Sequence, residues 1–458
     1  MSIAGILVAV YVFYLFATNL HRAETLLLRL FAVNLLYEGF INVGTFISLG
    51  ATAFKVADFM QFICVFISLL ILMKRGFKLG LIAFIAAIGL SVLMLVINPL
   101  DMLVRTFNGI DFVDNLEYMH YPSFDLQTAK TSVRLICFAI NATAVAVCMN
   151  RKRWLKILDL YLKVGRMLIV YAWIEFVLKN VLNITVTETL IRIVFGADTS
   201  IMTSLERNGL FVVVGLNNEP SQFCMMLYSY YLVYLMSRGY KRQTKKQVWL
   251  TISGVALMVL CGSFRAVGLL PVLLVLYLIQ NEKRKQSVVV VCTLGITLAI
   301  LYVTGALDYY LERMERAMLF TETLDANIGG GEAGRLNTIV EAFQVFAKRP
   351  IFGIGPGQTF AYGFIPSILV MTGVAGMITW YALMYGTIGR IGTSPYKGRW
   401  FLIALVISIS WIYNDSIAIG YSIYVIPMML SIRYDREPEE PLSAQVSYPL
   451  PKEEINGQ

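Results

Sequence analysis

Apolar runs of about 20 residues recur along the chain, separated by polar segments, and each is long enough to cross the ~30 Å hydrocarbon core of a bilayer as a helix. The pattern predicts an all-α fold, a polytopic transmembrane helical bundle of about 12–14 spans. The predicted spans are Ser2–Asn19, Thr25–Leu49, Val56–Met73, Leu79–Pro99, Thr131–Asn150, Tyr161–Leu182, Pro220–Met236, Val248–Gly262, Val267–Gln280, Ser287–Gly305, Ala361–Gly386, Trp400–Asp415 and Ile417–Ile432.

The spacing of basic residues predicts how these spans are oriented. Lys and Arg cluster in short segments after the third, fifth, seventh, ninth and eleventh spans, which fall on one side if the spans alternate. Basic loops face the cytoplasm in helical membrane proteins. Residues 433–458, rich in Pro, Glu and Ser, are then predicted to be a disordered cytoplasmic tail after a single transmembrane domain of residues 1–432.

The longer loops fall on the opposite side, at about residues 101–130, 183–219 and 306–360. Long loops in compact proteins are often functional. In the third loop, an apolar face with helical spacing predicts an amphipathic helix at the outer interface of the membrane. This face consists of Leu336, Ile339, Val340, Phe343 and Phe346.

Composition supports a membrane protein and excludes several other classes. Of the 458 residues, 58% are hydrophobic and 15% are charged, against about 25% charged in soluble domains. The net charge of +9 lies mostly in the short loops, which argues against a nucleic-acid partner. The chain has only two histidines, His21 and His120, so no His-based metal site is predicted.

Three arginines on the predicted outer side are candidate ligands for an anionic group. Arg207, Arg265 and Arg335 each lie close to glycine or other small residues. A guanidinium is well suited to hold two phosphate oxygens, and arginines on the outer side run against the orientation rule. Taken singly, each could be a snorkelling side chain or a structural ion pair; together they favour a shared anionic ligand.

Glu219 is the candidate general base. It precedes Pro220, which suits the first position of a helix, so its carboxylate is predicted at the outer mouth of the seventh span. There it could accept a proton from a sugar hydroxyl. The alternative role is a polar group that caps the helix end.

The segment Gly353–Gln358 is glycine-rich, but it neither follows a predicted strand nor opens a βαβ unit. A dinucleotide site is therefore disfavoured. The segment predicts a tight turn before the eleventh span instead.

These motifs, taken in order, resemble the bacterial O-antigen and exopolysaccharide polymerases (Wzy) of the O-antigen ligase–polymerase superfamily. The similar motifs are Arg207 with Gly209-Leu210-Phe211, Glu219-Pro220-Ser221, Ser263-Phe264-Arg265, Arg349–Gly357 and Gly373–Gly376. They span roughly residues 207–376, and the topology resembles the family over the whole chain.

The resemblance implies a glycosyltransferase of lipopolysaccharide or exopolysaccharide biosynthesis in the bacterial inner membrane, with its active site facing the periplasm. Such an enzyme transfers a growing glycan from undecaprenyl diphosphate to a hydroxyl of the next lipid-linked repeat unit, without metal or cofactor. The resemblance implies catalytic roles for Glu219 and Arg207 and diphosphate binding by Arg265, Arg335 and Arg207. Implied partners are the lipid-linked oligosaccharide, membrane lipid, and a chain-length regulator and flippase of the same pathway.

Two alternatives remain open. O-antigen ligases carry a histidine near the position of Tyr362, and this chain has none there, which argues against a ligase. A lipid-linked oligosaccharide flippase should carry cationic residues through much of the depth of a central cavity, and Lys163, Arg166, Arg29 and Arg134 are candidates for these. A secondary transporter should show interrupted helices with charged residues at mid-membrane depth, and related repeats, whereas this chain concentrates its polar groups at the outer face.

Overall fold

The computed structural model describes residues 2–40, 45–49, 52–105, 119–148, 151–184, 186–196, 206–207, 210–217, 219–238, 245–263, 338–359, 361 and 363–388, with short pieces between 266 and 315. These residues are predominantly helical, which confirms the all-α class. The predicted spans Trp400–Asp415 and Ile417–Ile432 and the predicted tail lie outside the described residues.

Most of the helices overlap the predicted spans, and two, at Val186–Phe195 and residues 338–348, lie in the predicted long loops. The helices are α1 (Ile3–Asn19), α2 (Ala23–Phe40), α3 (Val56–Arg75), α4 (Leu79–Ile97), α5 (Leu126–Cys148), α6 (Arg151–Asn180), α7 (Val186–Phe195), α8 (Pro220–Arg238), α9 (Lys245–Leu260), α10 (residues 338–348) and α11 (Phe364–Ile388). Three antiparallel pairs of short strands accompany them: β1 (Thr45–Leu49) with β2 (Thr52–Lys55), β3 (Val104–Arg105) with β4 (Met119–His120), and β5 (Glu206–Arg207) with β6 (Leu210–Phe211).

Three of the described helices are long and apolar enough to cross a membrane: Leu79–Ile97, Leu126–Cys148 and Ile365–Leu383. Shorter apolar helices lie at Ile3–Asn19 and Val248–Leu260. These findings indicate a membrane protein.

The prediction of one span over Thr25–Leu49 is wrong at its C-terminal end. Helix α2 ends at Phe40, and Thr45–Leu49 is strand β1, paired with β2. The sequence from residue 39 to 50 contains three glycines, each costing a helix about 1 kcal/mol relative to alanine. Its Ile, Val and Thr residues favour strands. Hydropathy alone does not distinguish such a segment from a span.

Two further boundaries differ from those predicted. Helix α5 begins at Leu126 instead of Thr131, because Asp125 caps it: the Asp125 carboxylate accepts hydrogen bonds from the Thr128 N–H (2.7 Å) and hydroxyl (2.8 Å). Helix α6 begins at Arg151, ten residues before the predicted span at Tyr161. Its first turns are polar and basic, so the apolar window missed them.

The core is built where α4, α5 and α11 meet. The fully buried ring of Trp380 on α11 lies 5.3 Å from that of Phe84 and 5.5 Å from that of Phe138, between ring centroids. Gly80 lets α4 approach α11 closely, since a Cβ there would lie 2.7 Å from the Ala382 carbonyl oxygen. Small residues allow such close approach between helices in membranes.

One end of the bundle collects the basic residues that follow the third and fifth predicted spans. Glu24 at the start of α2 forms ion pairs with Arg75 at the end of α3 and with Arg153 at the start of α6, the latter at 3.1 Å. The two basic segments therefore lie at the same end, as alternating spans require. We call this the basic end, and the end carrying the C-termini of α4 and α6 the opposite end.

The Glu24 ion pairs predict a pH dependence of stability. Partial burial raises the pKa of Glu24, but hydrogen bonds and attraction from Arg153 and Arg75 outweigh it and hold the pKa below its ordinary value of 4.5. The stabilisation is complete well above pH 4.5 and is lost as the pH falls through the lowered pKa.

We therefore expect wild type to be more stable than Glu24→Gln at neutral pH, with the difference shrinking below about pH 4.5. Thermal unfolding of both proteins across this range measures it. A difference that stays constant down to the most acidic pH would contradict the ion-pair origin.

Candidate functional site

The last turns of α6 contain a buried ion pair. Glu175 and Lys179 are each 1% exposed, and the Lys179 Nζ donates to the Glu175 Oε1 at 2.5 Å. They are four residues apart on one helix, with the acid N-terminal to the base, which is the favourable order. A buried charge pair is costly unless further hydrogen bonds satisfy both groups.

Those further bonds come from the segment that leads into α8. The Gly215 N–H donates to the Glu175 Oε2 at 2.7 Å, and the Val214 N–H donates to the Oε1 at 3.4 Å. The Lys179 Nζ also donates to the Val212 carbonyl at 3.5 Å. The pair therefore fixes the backbone of residues 212–215 against the end of α6.

Asn180 continues this attachment by one residue. Its Oδ1 accepts from the Phe211 N–H at 2.8 Å, and its Nδ2 donates to the Phe211 carbonyl at 3.1 Å. Phe211 belongs to β6, whose partner strand β5 carries Arg207, paired with Leu210. The backbone of Arg207 is thus held close to the end of α6.

A turn then directs the chain into α8. Gly215 has a positive φ of 58°, which glycine adopts without strain. A Cβ there would lie 2.7 Å from the ring of Phe223, so a larger residue would have to displace that ring. Asn217 follows at 1% exposure, and its Nδ2 has no hydrogen-bond partner among the residues that the structure describes. A buried unpaired amide is unusual, and this one lies two residues before Glu219.

Glu219 lies at the start of α8, as predicted. Its carbonyl accepts the first helical hydrogen bonds, from Gln222 and Phe223 at 3.1 Å each. The Ser221 hydroxyl donates to the Glu219 Oε2 at 2.9 Å. The half-buried carboxylate therefore has a fixed position at the N-terminus of the helix, where the helix dipole favours a negative charge.

The glycine-rich segment forms the tight turn that the sequence predicts. The turn packs against α11 at Gly373. There the helix is broken, with φ 65° and ψ −165°. Residues on each side of the break pair with the turn: Ile354 N–H donates to the Val370 carbonyl (2.8 Å), and Val374 N–H donates to the Pro350 carbonyl (2.8 Å). The turn is therefore part of the bundle and not a loose loop.

Two polar side chains anchor this turn to neighbouring helices. The Arg349 guanidinium donates to the carbonyls of Met94 and Asn98 at the end of α4. Gln358 is 1% exposed, and its amide group accepts from the Ser123 N–H (2.9 Å) and donates to the Ser123 carbonyl (2.7 Å), close to the start of α5. The turn thus lies at the opposite end of the bundle.

The break at Gly373 gives a testable stability effect. Gly373→Ala is expected to destabilise the protein by about 1–3 kcal/mol from backbone strain alone, because φ is positive and the Cβ would lie 2.3 Å from the Ile351 carbonyl carbon. Thermal unfolding in detergent measures the effect. Gly89→Ala on α4 is the matched control, since its Cβ meets nothing within 4 Å. Equal effects of both substitutions would contradict the close approach.

The other predicted site residues are placed only in part. The third-loop helix is present as α10, with Val340 and Phe343 exposed, as on a helix facing lipid, and with Ala342 and Val345 packed inward. Arg265 and Arg335 lie outside the described residues, as does the side chain of Arg207. The cluster of three arginines stays a prediction.

Sequence reasoning missed Glu175, Lys179 and Asn180, and it assigned no anchoring contact to Arg349 or Gln358 within the motifs that contain them. The first pair carried a signal, because an acid and a base four residues apart inside an apolar run rarely occur without a structural or functional role. The others act through backbone groups distant in sequence, which no local pattern displays.

Within the described residues, no group of three or more His, Cys, Asp or Glu side chains is arranged to hold a metal ion. No protein-family model matches the chain, and no curated protein matches it significantly.

Proposed function

We propose that this protein is a polysaccharide polymerase of the bacterial inner membrane, acting at the periplasmic face, with its C-terminus in the cytoplasm. It would transfer a growing glycan from undecaprenyl diphosphate to a hydroxyl of the next lipid-linked repeat unit. The observation that supports this most directly is the position of Glu219, a carboxylate held at a helix start at the end of the bundle opposite the basic residues.

In the proposed reaction, the acceptor hydroxyl oxygen attacks the anomeric carbon of the donor sugar. The bond from that carbon to the diphosphate oxygen breaks, and undecaprenyl diphosphate leaves with the bonding electrons. Glu219 takes the hydroxyl proton. Arg207, Arg265 and Arg335 would stabilise the charge that develops on the leaving diphosphate, so this glycosyltransferase would need no metal.

The attachment to α6 gives a physical reason for Arg207 and Glu219 to act together. The segment that joins them is fixed at two points, since the Phe211 backbone is bonded to Asn180 and residues 214–215 are bonded to Glu175. Positioning groups on rigid supports is what a transfer between two bulky lipid-linked substrates requires.

The flippase alternative receives less support from the described residues. Lys163 and Arg166 line a groove between α6, α8 and α9, but Arg29 on α2 and Arg134 on α5 do not line it. A flippase should carry cationic residues through much of the depth of one central cavity. This groove does not bring the four residues together.

The proposal is tested with purified protein and undecaprenyl-diphosphate-linked repeat units, without metal or nucleotide. A ladder of products differing by one repeat unit is the expected result. Intact substrate after incubation with folded protein would contradict a polymerase. Single transfer to added lipid A core, with no ladder, would indicate the ligase instead.

A further inference from the structure

A groove of about 920 Å³ lies between α6, α8 and α9. Its volume is within the usual range of ligand sites. Its walls are formed by the middle of α6, the second half of α8 and the first half of α9, and because α8 ends and α9 begins there, it lies toward the basic end of the bundle. It is therefore distant along the helices from Glu219, which starts α8.

The lining of the groove combines basic side chains with apolar ones. Lys163, Arg166 and Lys246 line it together with one acid, Asp159, giving the lining a net charge of two positive. Asp159 pairs with Lys163 at 2.7 Å. The Arg166 Nε donates to the Leu162 carbonyl at 3.2 Å, and the Arg166 side chain lines the groove.

Helix length places these charges near a membrane surface. Helix α6 has 30 residues and so spans about 45 Å, about 15 Å more than the hydrocarbon core. If Asn180 lies at one boundary, the first ten residues or so extend beyond the other. Lys163 and Arg166 then lie within about two turns of the headgroups, which long basic side chains reach by snorkelling.

The walls deeper in the groove fit an acyl chain. Met167 is 70% exposed, Val170 58% and Trp249 69%, and all three line the groove. Large apolar side chains this exposed on a helical bundle face lipid or a bound apolar ligand. Tryptophan is enriched at the headgroup level of membranes, next to both polar and apolar groups.

We propose that this groove binds an anionic phospholipid from the leaflet at the basic end, with its phosphate held by Lys163, Arg166 and Lys246 and an acyl chain against Met167, Val170 and Trp249. Basic pockets between transmembrane helices bind anionic headgroups in this way. The site is independent of the proposed polymerase reaction, because none of its residues is part of the Glu219 region.

To test this proposal, the full chain is reconstituted in phosphatidylcholine vesicles, and phosphatidylglycerol with brominated acyl chains is added. Bromine quenches the fluorescence of nearby tryptophan. The difference between wild type and Trp249→Phe isolates the Trp249 signal. We expect brominated phosphatidylglycerol to quench Trp249 at a lower mole fraction than brominated phosphatidylcholine does.

The charge variant Lys163→Gln/Arg166→Gln/Lys246→Gln should lose this preference, by roughly tenfold or more for three basic residues near a membrane surface. The matched control is Lys74→Gln/Lys78→Gln/Lys156→Gln, which removes three exposed charges from the same end outside the groove. It should keep the preference.

Three outcomes would overturn the proposal. Equal quenching by the two lipids in wild type would show no headgroup selection. An equal loss in the control variant would assign the effect to the general surface charge. Loss of the quenching when soluble glycerol phosphate is added would indicate a site for a free anion, whose binding does not depend on the apolar walls.

Discussion

Replacing Lys179 with methionine is expected to destabilise the protein by about 3–5 kcal/mol. The methionine fills similar space but leaves the carboxylate of Glu175, at 1% exposure, without its cation. An uncompensated charge in such a site must be neutralised or hydrated at high cost. The Val212 carbonyl also loses a donor. Unfolding of the purified protein in detergent, by heat or denaturant, measures the change.

Helix α6 supplies its own control for this prediction. Lys163 and Asp159 form an ion pair with the same spacing on the same helix, at 2.7 Å, but their side chains are about 60% exposed. Exposed pairs contribute little, so Lys163→Met should change stability by at most about 1 kcal/mol. Similar losses of stability at Lys179 and Lys163 would show that the contribution of the Glu175–Lys179 pair does not arise from its burial.

The apolar pattern predicts the helices best where nothing else competes with hydropathy. Helices α1, α3 and α8 begin within a residue of their predicted spans, at Ile3, Val56 and Pro220. The start of α8 was predictable for a local reason, since a residue before proline leaves the helical region and proline suits the first turn. The same reasoning placed Glu219 correctly.

The pattern fails where apolar residues serve a different local structure or where contacts are distant. Thr45–Leu49 continues the apolar run of the second predicted span, yet it is strand β1 and pairs with Thr52–Lys55 in a hairpin. Gln358 is anchored 235 residues away at Ser123, and this contact exists only after α5 and the turn have packed. No window of sequence contains both partners.

In the candidate site, too, the local features were predictable from sequence and the distant contacts were not. The sequence places Glu219 at a helix start, but not the support beneath it, because that support is a contact between α6 and residues 211–215. The pair of Glu175 and Lys179 therefore links stability to the proposed site. A change at Lys179 should disturb the segment between Arg207 and Glu219 even though Lys179 touches neither residue's side chain among the contacts described.

Glu219→Gln is expected to lower the rate of glycan transfer by about 10²–10⁴-fold. The amide keeps the shape of the side chain and can still accept a hydrogen bond from the Ser221 hydroxyl, so the helix start should be preserved. It cannot take the proton of the acceptor hydroxyl at neutral pH. The rate of ladder formation from lipid-linked repeat units, measured with both substrates saturating, gives the effect on the chemical step.

Glu206→Gln is the matched control for this change. Glu206 is an exposed carboxylate in β5, on the same segment as Arg207, and its substitution removes the same charge. If Glu219 acts by taking a proton, Glu206→Gln should retain nearly the wild-type rate while Glu219→Gln loses it. A Glu219→Gln protein that folds normally and polymerises at the wild-type rate would remove Glu219 from the reaction. A loss confined to binding, with an unchanged maximal rate, would make its role substrate positioning, since a general base acts on the maximal rate.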